Sequence, residues 1–168
     1  MPETTVQNTL TRPMASDTHD APHAPEAAAA PVPPDKVVVV LDAALPPGQA
    51  ANVAACLSAG LAGAWPAWAG RPLNDAAGLA SVAIAHLPIA VLRADTPAMQ
   101  ALLARLPSAA GEGCVCLFPA YAQRVQDGTT YWALHAQAHH TNTPMLGVGL
   151  AGGRRWVNRL SGSLGLWR

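Results

Sequence analysis

The chain has 168 residues, 51% of them apolar and 12% charged, with 16 Pro, 14 Gly, 3 Cys and a formal net charge of zero. That composition suits a single soluble domain. The longest apolar stretch, 78–92, is interrupted by His86 and Pro88, so no membrane span is expected. The absence of a basic start followed by an apolar run argues against a secretory signal, and three cysteines cannot build a disulfide framework. The expected location is therefore cytoplasmic. Alanine occurs 36 times and arginine outnumbers lysine nine to one, a bias that reflects codon composition more than chemistry.

The zero net charge is the sum of two unlike parts. Residues 1–35 carry Glu3, Asp17, Asp20, Glu26 and Asp35 against Arg12, a net of −4, and the remainder carries a net of +4. The first part is rich in Ala, Pro and Thr and has almost no large apolar side chains, so it cannot offset the entropy of ordering. It reads as a disordered acidic leader, and residues 36–168 read as one domain.

In the domain, Lys36-Val-Val-Val-Val-Leu-Asp42 has the continuous apolar run of a strand buried on both faces. Leu45-Pro-Pro-Gly48 turns the chain. Ala50, Val53, Ala54, Leu57 and Leu61 then form the apolar stripe of a core-facing helix, which Gly60 and Gly63 are expected to end. Residues 64–76 hold too many breakers for a regular element, and Leu79 to Ile84 suggests a short strand. Ile89 to Leu92 predicts a second buried strand ending at Asp95. After it, Thr96 has the chemistry of an N-cap and Pro97 that of a first helical residue. Met99, Leu102, Leu103 and Leu106 carry that helix to Pro107. Cys114 to Phe118, a helix near 129–139 and a strand from Met145 to Leu150 complete the alternation, with a short helical or irregular piece after Gly153. Repeated strand and helix units imply an α/β fold with helices on the sheet faces.

Three strings occur in order: Leu45-Pro-Pro-Gly-Gln-Ala-Ala-Asn-Val-Ala-Ala-Cys56, Leu87-Pro-Ile-Ala-Val-Leu-Arg93, and Gly147-Val-Gly-Leu-Ala-Gly-Gly-Arg-Arg-Trp-Val-Asn-Arg-Leu-Ser-Gly-Ser163. Together they resemble the domain of unknown function 2000 family of small bacterial proteins. The resemblance spans roughly residues 36–168 and implies a fold like peptidyl-tRNA hydrolase type II. That fold is a three-layer α/β/α sandwich around a mixed four-stranded sheet. It also raises tRNA as a partner by fold analogy. The hydrolase carries a Gly-Lys-x-Ala-Ala-Gln string at the start of its first helix, whereas the matching stretch here is Gly48-Gln-Ala-Ala-Asn52, without lysine. Its Asp-Ala-Gly-x-Thr string is replaced by Phe118-Pro-Ala-Tyr-Ala-Gln123, and Asp127-Gly-Thr-Thr130 reads as a helix cap. Since a neutral amide cannot stabilise a developing negative charge as an ammonium does, both halves of the catalytic pattern are lost.

The remaining candidates follow from position. Ligands in open α/β sheets settle beyond the carboxyl ends of parallel strands, which selects Asp42 and, after the second strand, Asp95. Gly48 opens the next helix, whose free N–H groups suit an anion, and Asn52 stands one turn in. The bland alternative is that Asp42 fixes the following turn and Asn52 packs locally. Arg155 and Arg159 are four apart beside Asn158, in a basic patch able to grip a phosphate or carboxylate. Four cations in the last 15 residues argue only weakly for nucleic acid. His135 and His139 stand four apart on one helical face and His140 follows, a spacing that can share a metal, but no Glu lies between them and no third ligand is evident, so no metal is expected. Cys114 and Cys116 alternate along a strand and read as core packing. No dinucleotide fingerprint, phosphate loop or nucleophile elbow is present, so no cofactor is expected.

The expected function is a non-hydrolytic binding module for a small anionic ligand or a protein partner, using Asp42, Gly48, Asn52, Arg155, Asn158 and Arg159. The alternative is an ester hydrolase acting on peptidyl-tRNA or a related substrate, which requires a relocated cation near Asn52. A homodimer burying Trp65 and Trp68 is a third reading.

Overall fold

In a computed structural model the described residues are 33–65 and 68–168. The expected leader falls almost wholly outside them. The buried run Lys36–Asp42 is β1, and it lies at the centre of the domain: Val37 to Leu41 are all at most 1% exposed. A strand with no solvent-facing side needs partners on both edges and helices on both faces, and β1 has them.

The elements follow in the order α1 (Pro47–Ala64), β2 (Pro72–Asn74), β3 (Ala80–Val82), β4 (Ile89–Ala94), α2 (Thr96–Arg105), β5 (Gly113–Pro119), α3 (Gly128–Gln137), β6 (Met145–Gly152), α4 (Arg154–Ser161) and β7 (Gly165–Leu166). The main sheet has the order β5-β6-β1-β4-β7. β1 pairs in parallel with β4, and the other pairings in this sheet are antiparallel. The four strands expected from periodicity are joined by a fifth, the two-residue β7, so the sheet is five-stranded and mixed. Two residues are too short to show a period. Their strand character comes from pairing with Leu92 and Arg93 at the sheet edge. β2 and β3 form a separate hairpin.

Alternation along β1 sorts the core into two sides. Val39 and Leu41 pack with Ala50, Val53 and Leu57 of α1, and Val37 with Leu61. Val38 and Val40 pack with Met99, Leu102 and Leu103 of α2 and with Trp156, Val157 and Leu160 of α4. The result is three layers, α/β/α.

Two expected boundaries move. α1 passes through Gly60 and Gly63 to Ala64, because Gly60 is there for space: a Cβ on it would lie 2.7 Å from Cys116 Sγ. α2 is capped by Asp95, not Thr96, since the Asp95 carboxylate accepts from Ala98 N–H at 2.9 Å. Asp127 caps α3 as the sequence predicts, accepting from Thr130 N–H at 2.8 Å.

Candidate functional site: a cleft at the carboxyl ends of the central strands

Asp42 ends β1, where alternation directs its side chain to the α2 side. Its Oδ1 accepts the Ala44 N–H at 3.0 Å and its carbonyl accepts from Leu45 N–H at 3.1 Å, so it does fix the following turn. It also borders a cleft of about 180 Å³, walled by Thr96, Met99 and Gln100 of α2 and by Asn142 and Thr143 of the segment entering β6. The cleft thus lies beyond the carboxyl ends of the parallel pair β1 and β4, as the crevice rule expects. One carboxylate is set there among uncharged hydroxyls and amides.

The other expected site residues lie elsewhere. Gly48 and Asn52 are exposed on α1, and neither borders the cleft. Among the described residues Asn52 makes no side-chain hydrogen bond, and no arginine is bonded to it or to Asp42. Arg155, Asn158 and Arg159 belong to α4, which begins beside Lys36 because Gly152 pairs with Lys36. At about 3.3 Å per residue, the length of β1 puts roughly 20 Å between that end and Asp42. The expected single site of Asp42 with the arginines is therefore not formed. Two of the three α4 residues have structural partners: Arg159 pairs with Glu112, and Asn158 accepts from Lys36 Nζ at 2.6 Å. Arg155 is exposed. Lys36, the lone lysine, is held at the wrong end to replace the missing ammonium near Asn52.

The tryptophans expected at a dimer surface are core. Trp65 is 9% and Trp68 3% exposed, packed with Val37 and Leu61. Exposed large apolar groups lie instead on the hairpin and its flanks, at Leu73, Leu79, Val82 and Ile84, and on α3 at Trp132.

A second polar cluster at the same end of the sheet pairs the histidines differently from the sequence reading and adds a tyrosine that it did not include. α3 ends at Gln137 and Ala138 is extended, so His139 leaves the helical register and does not stack on His135. His140 takes that place. Its ring centroid is 4.2 Å from that of His135, and Tyr121 Oη lies 3.3 Å from His135 Nδ1 and 3.2 Å from His140 Nε2. Burial, then the neighbouring His135, pulls the His140 pKa below the usual histidine range, and burial raises that of Tyr121. The adjacent pair His139-His140 was the available signal, but its meaning depended on where the helix stopped.

Among the described residues no helix is long and apolar enough to cross a membrane. No curated protein matches the chain. A solved structure, that of a protein of unknown function from Agrobacterium tumefaciens strain C58, is similar with a TM-score of 0.71 at 20% identity. The match covers 79% of this chain and 97% of that one. At that identity the likeness is one of fold. The family model described as protein of unknown function (DUF2000) matches residues 35–168, and the chain belongs to that family.

Proposed function

We propose that the domain is a non-hydrolytic binding module whose small ligand seats in the Asp42 cleft. The observation that carries this reading is the Asp42 carboxylate, anchored through one oxygen by Ala44 N–H and bordering a cleft whose other polar groups are uncharged. A carboxylate facing hydroxyls and amides suits a ligand that brings hydrogen-bond donors, such as an amine or a primary amide, and repels an anion. The anionic ligand expected from Arg155 and Arg159 finds no support at this cleft, because those arginines are a strand length away. At about 180 Å³ the cleft is below the usual drug-sized range, which suits a small molecule or one end of a larger one.

The layer order, with α1 on one face of the sheet and α2 and α4 on the other, supports a peptidyl-tRNA hydrolase type II-like reading of the fold. The hydrolytic reaction has less behind it. It needs positive charge where the oxyanion forms, and among the described residues neither Lys36 nor an arginine is bonded to Asn52. Small amines and amides screened by protein-observed NMR on the full chain test the proposal. Binders should shift Asp42, Thr96 and Asn142 resonances, and Asp42→Asn should abolish the amine shifts. Turnover of peptidyl-tRNA that Asn52→Ala abolishes would overturn it.

A further inference from the structure

We propose that Tyr121, His135 and His140 form a binding site for one divalent first-row transition-metal ion. This site is separate from the Asp42 cleft, and the inference does not depend on it. The three side chains come from three segments that meet only in the folded domain. Tyr121 lies in the 3-10 turn Ala120–Arg124 after β5, His135 in the last turn of α3, and His140 in the 3-10 turn His140–Asn142 before β6.

All three are half-buried, and each histidine brings a ring nitrogen to the Tyr121 hydroxyl. The distances are those of a coordination polyhedron. Ligand atoms about 2.0–2.1 Å from a metal stand about 2.9–3.4 Å apart across octahedral or tetrahedral angles. The edges from Tyr121 Oη to His135 Nδ1 and to His140 Nε2 are 3.3 and 3.2 Å. Two edges of the ligand triangle therefore have the required length already.

The protonation chemistry agrees. A phenol has one proton and can donate to only one of the two nitrogens, so in the metal-free cluster the other imidazole must donate to the phenol oxygen. The ring nitrogen that accepts from the phenol is unprotonated, the state a metal requires. Tyr131 packs against His135 at a tilt, with ring centroids 5.6 Å apart, and is tied to the Leu117 carbonyl through its hydroxyl at 3.4 Å, which restrains the His135 ring.

Among the described residues no three His, Cys, Asp or Glu side chains gather to hold a metal, and the site proposed here has a phenol oxygen as its third ligand. Binding breaks the Tyr121 O–H bond, releases its proton to solvent and leaves a phenolate on the metal; the imidazole that donated to the phenol gives up the N–H facing the metal and takes a proton on its other ring nitrogen, so one proton is released overall and the remaining positions are open to water. Two imidazoles and a phenolate favour Cu(II) and Zn(II), with Cu(II) the tighter by the general order of divalent affinities.

The test titrates the full chain, stripped with a chelator, with Zn(II) by calorimetry and with Cu(II) by absorption spectroscopy. One equivalent should bind, and the Cu(II) form should show a visible phenolate-to-metal charge-transfer band. His135→Ala and His140→Ala should each weaken Zn(II) binding about tenfold or more. His139→Ala should leave it unchanged. Tyr121→Phe keeps the packed ring and should remove the band and the released proton, so it carries the test even where a histidine variant unfolds. Absence of binding, affinity that survives both histidine substitutions, or a band that persists in Tyr121→Phe would overturn the assignment.

Discussion

A Cβ on Gly147 would lie 2.8 Å from Leu57 Cδ1 and 2.7 Å from Val53 Cγ1. Gly147 is therefore the place where β6 yields its side-chain volume to α1, and Gly149 does the same one turn further along, 3.0 Å from Leu61 Cδ1. Both neighbours of Gly147 are core side chains at most 1% exposed, with no room to retreat. Gly147→Ala should cost about 1–3 kcal/mol in chemical denaturation, the range of core overpacking. Gly48, whose added Cβ meets nothing within 4 Å, is the control. Gly48→Ala should be neutral or slightly stabilising, because alanine is the better helix former.

Asp95 caps α2 through Ala98 N–H. Asp95→Ala should destabilise the domain by about 1 kcal/mol, the usual cost of losing an N-cap. Thr96→Ala should cost less, since its side chain is not the cap. Thermal melting of the two variants side by side distinguishes them.

Stability should fall on acidification through the histidine range. Burial lowers the pKa of His140 in the folded state. As the pH drops below about 6.5 the unfolded chain takes up that proton first. Stability from this group is therefore full above that value and declines as the pH falls through the folded pKa. Melting temperatures between pH 8 and pH 5 should show the decline, and His140→Gln should flatten it.

The three thiols should react at different rates. Cys56 is exposed, whereas Cys114 and Cys116 pack under α1, where burial raises both pKa values and, for Cys116, the neighbouring thiols add to the rise. Alkylation at neutral pH, followed by mass spectrometry, should label Cys56 first and Cys116 last.

Trp68 is 3% exposed in the cluster formed with Val37 and Leu61. Trp68→Ala should cost about 3–5 kcal/mol as a core truncation. Its effect should appear in the melting temperature, while the sedimentation coefficient of the folded variant should match that of the parent chain. A change of oligomeric state with unchanged stability would contradict the buried placement.

Much of the fold was legible because strong periods need no context. The run Val37 to Leu41 reads as a doubly buried strand, and the stripe Ala50, Val53, Leu57, Leu61 as a core-facing helix, and both formed as read. Gly147 and Gly149 were read as permitting close approach of a helix to the sheet, and the contacts with Val53, Leu57 and Leu61 are that approach. Gly60 misled for a related reason. A glycine inside a helix looks like a stop signal until the sulfur of Cys116, 56 positions away, is seen to need the space. The tryptophans misled in the opposite way: in a segment full of breakers they looked exposed, but an irregular backbone can still seat large rings in the core.

The sequence by itself determined the family, the central strand, the helix stripes and Asp42 at the end of β1. These are local patterns, repeated every two or three to four residues, and local sterics and burial suffice to read them. Only the tertiary structure decided which end of the sheet each polar group occupies. The antiparallel return of β6 carries α4 and its arginines to the far end of β1 from Asp42. The break after Gln137 removes His139 from the helix and brings His140 to Tyr121. Strand direction and helix termination are set by contacts between distant segments, and no spacing within a single segment encodes them.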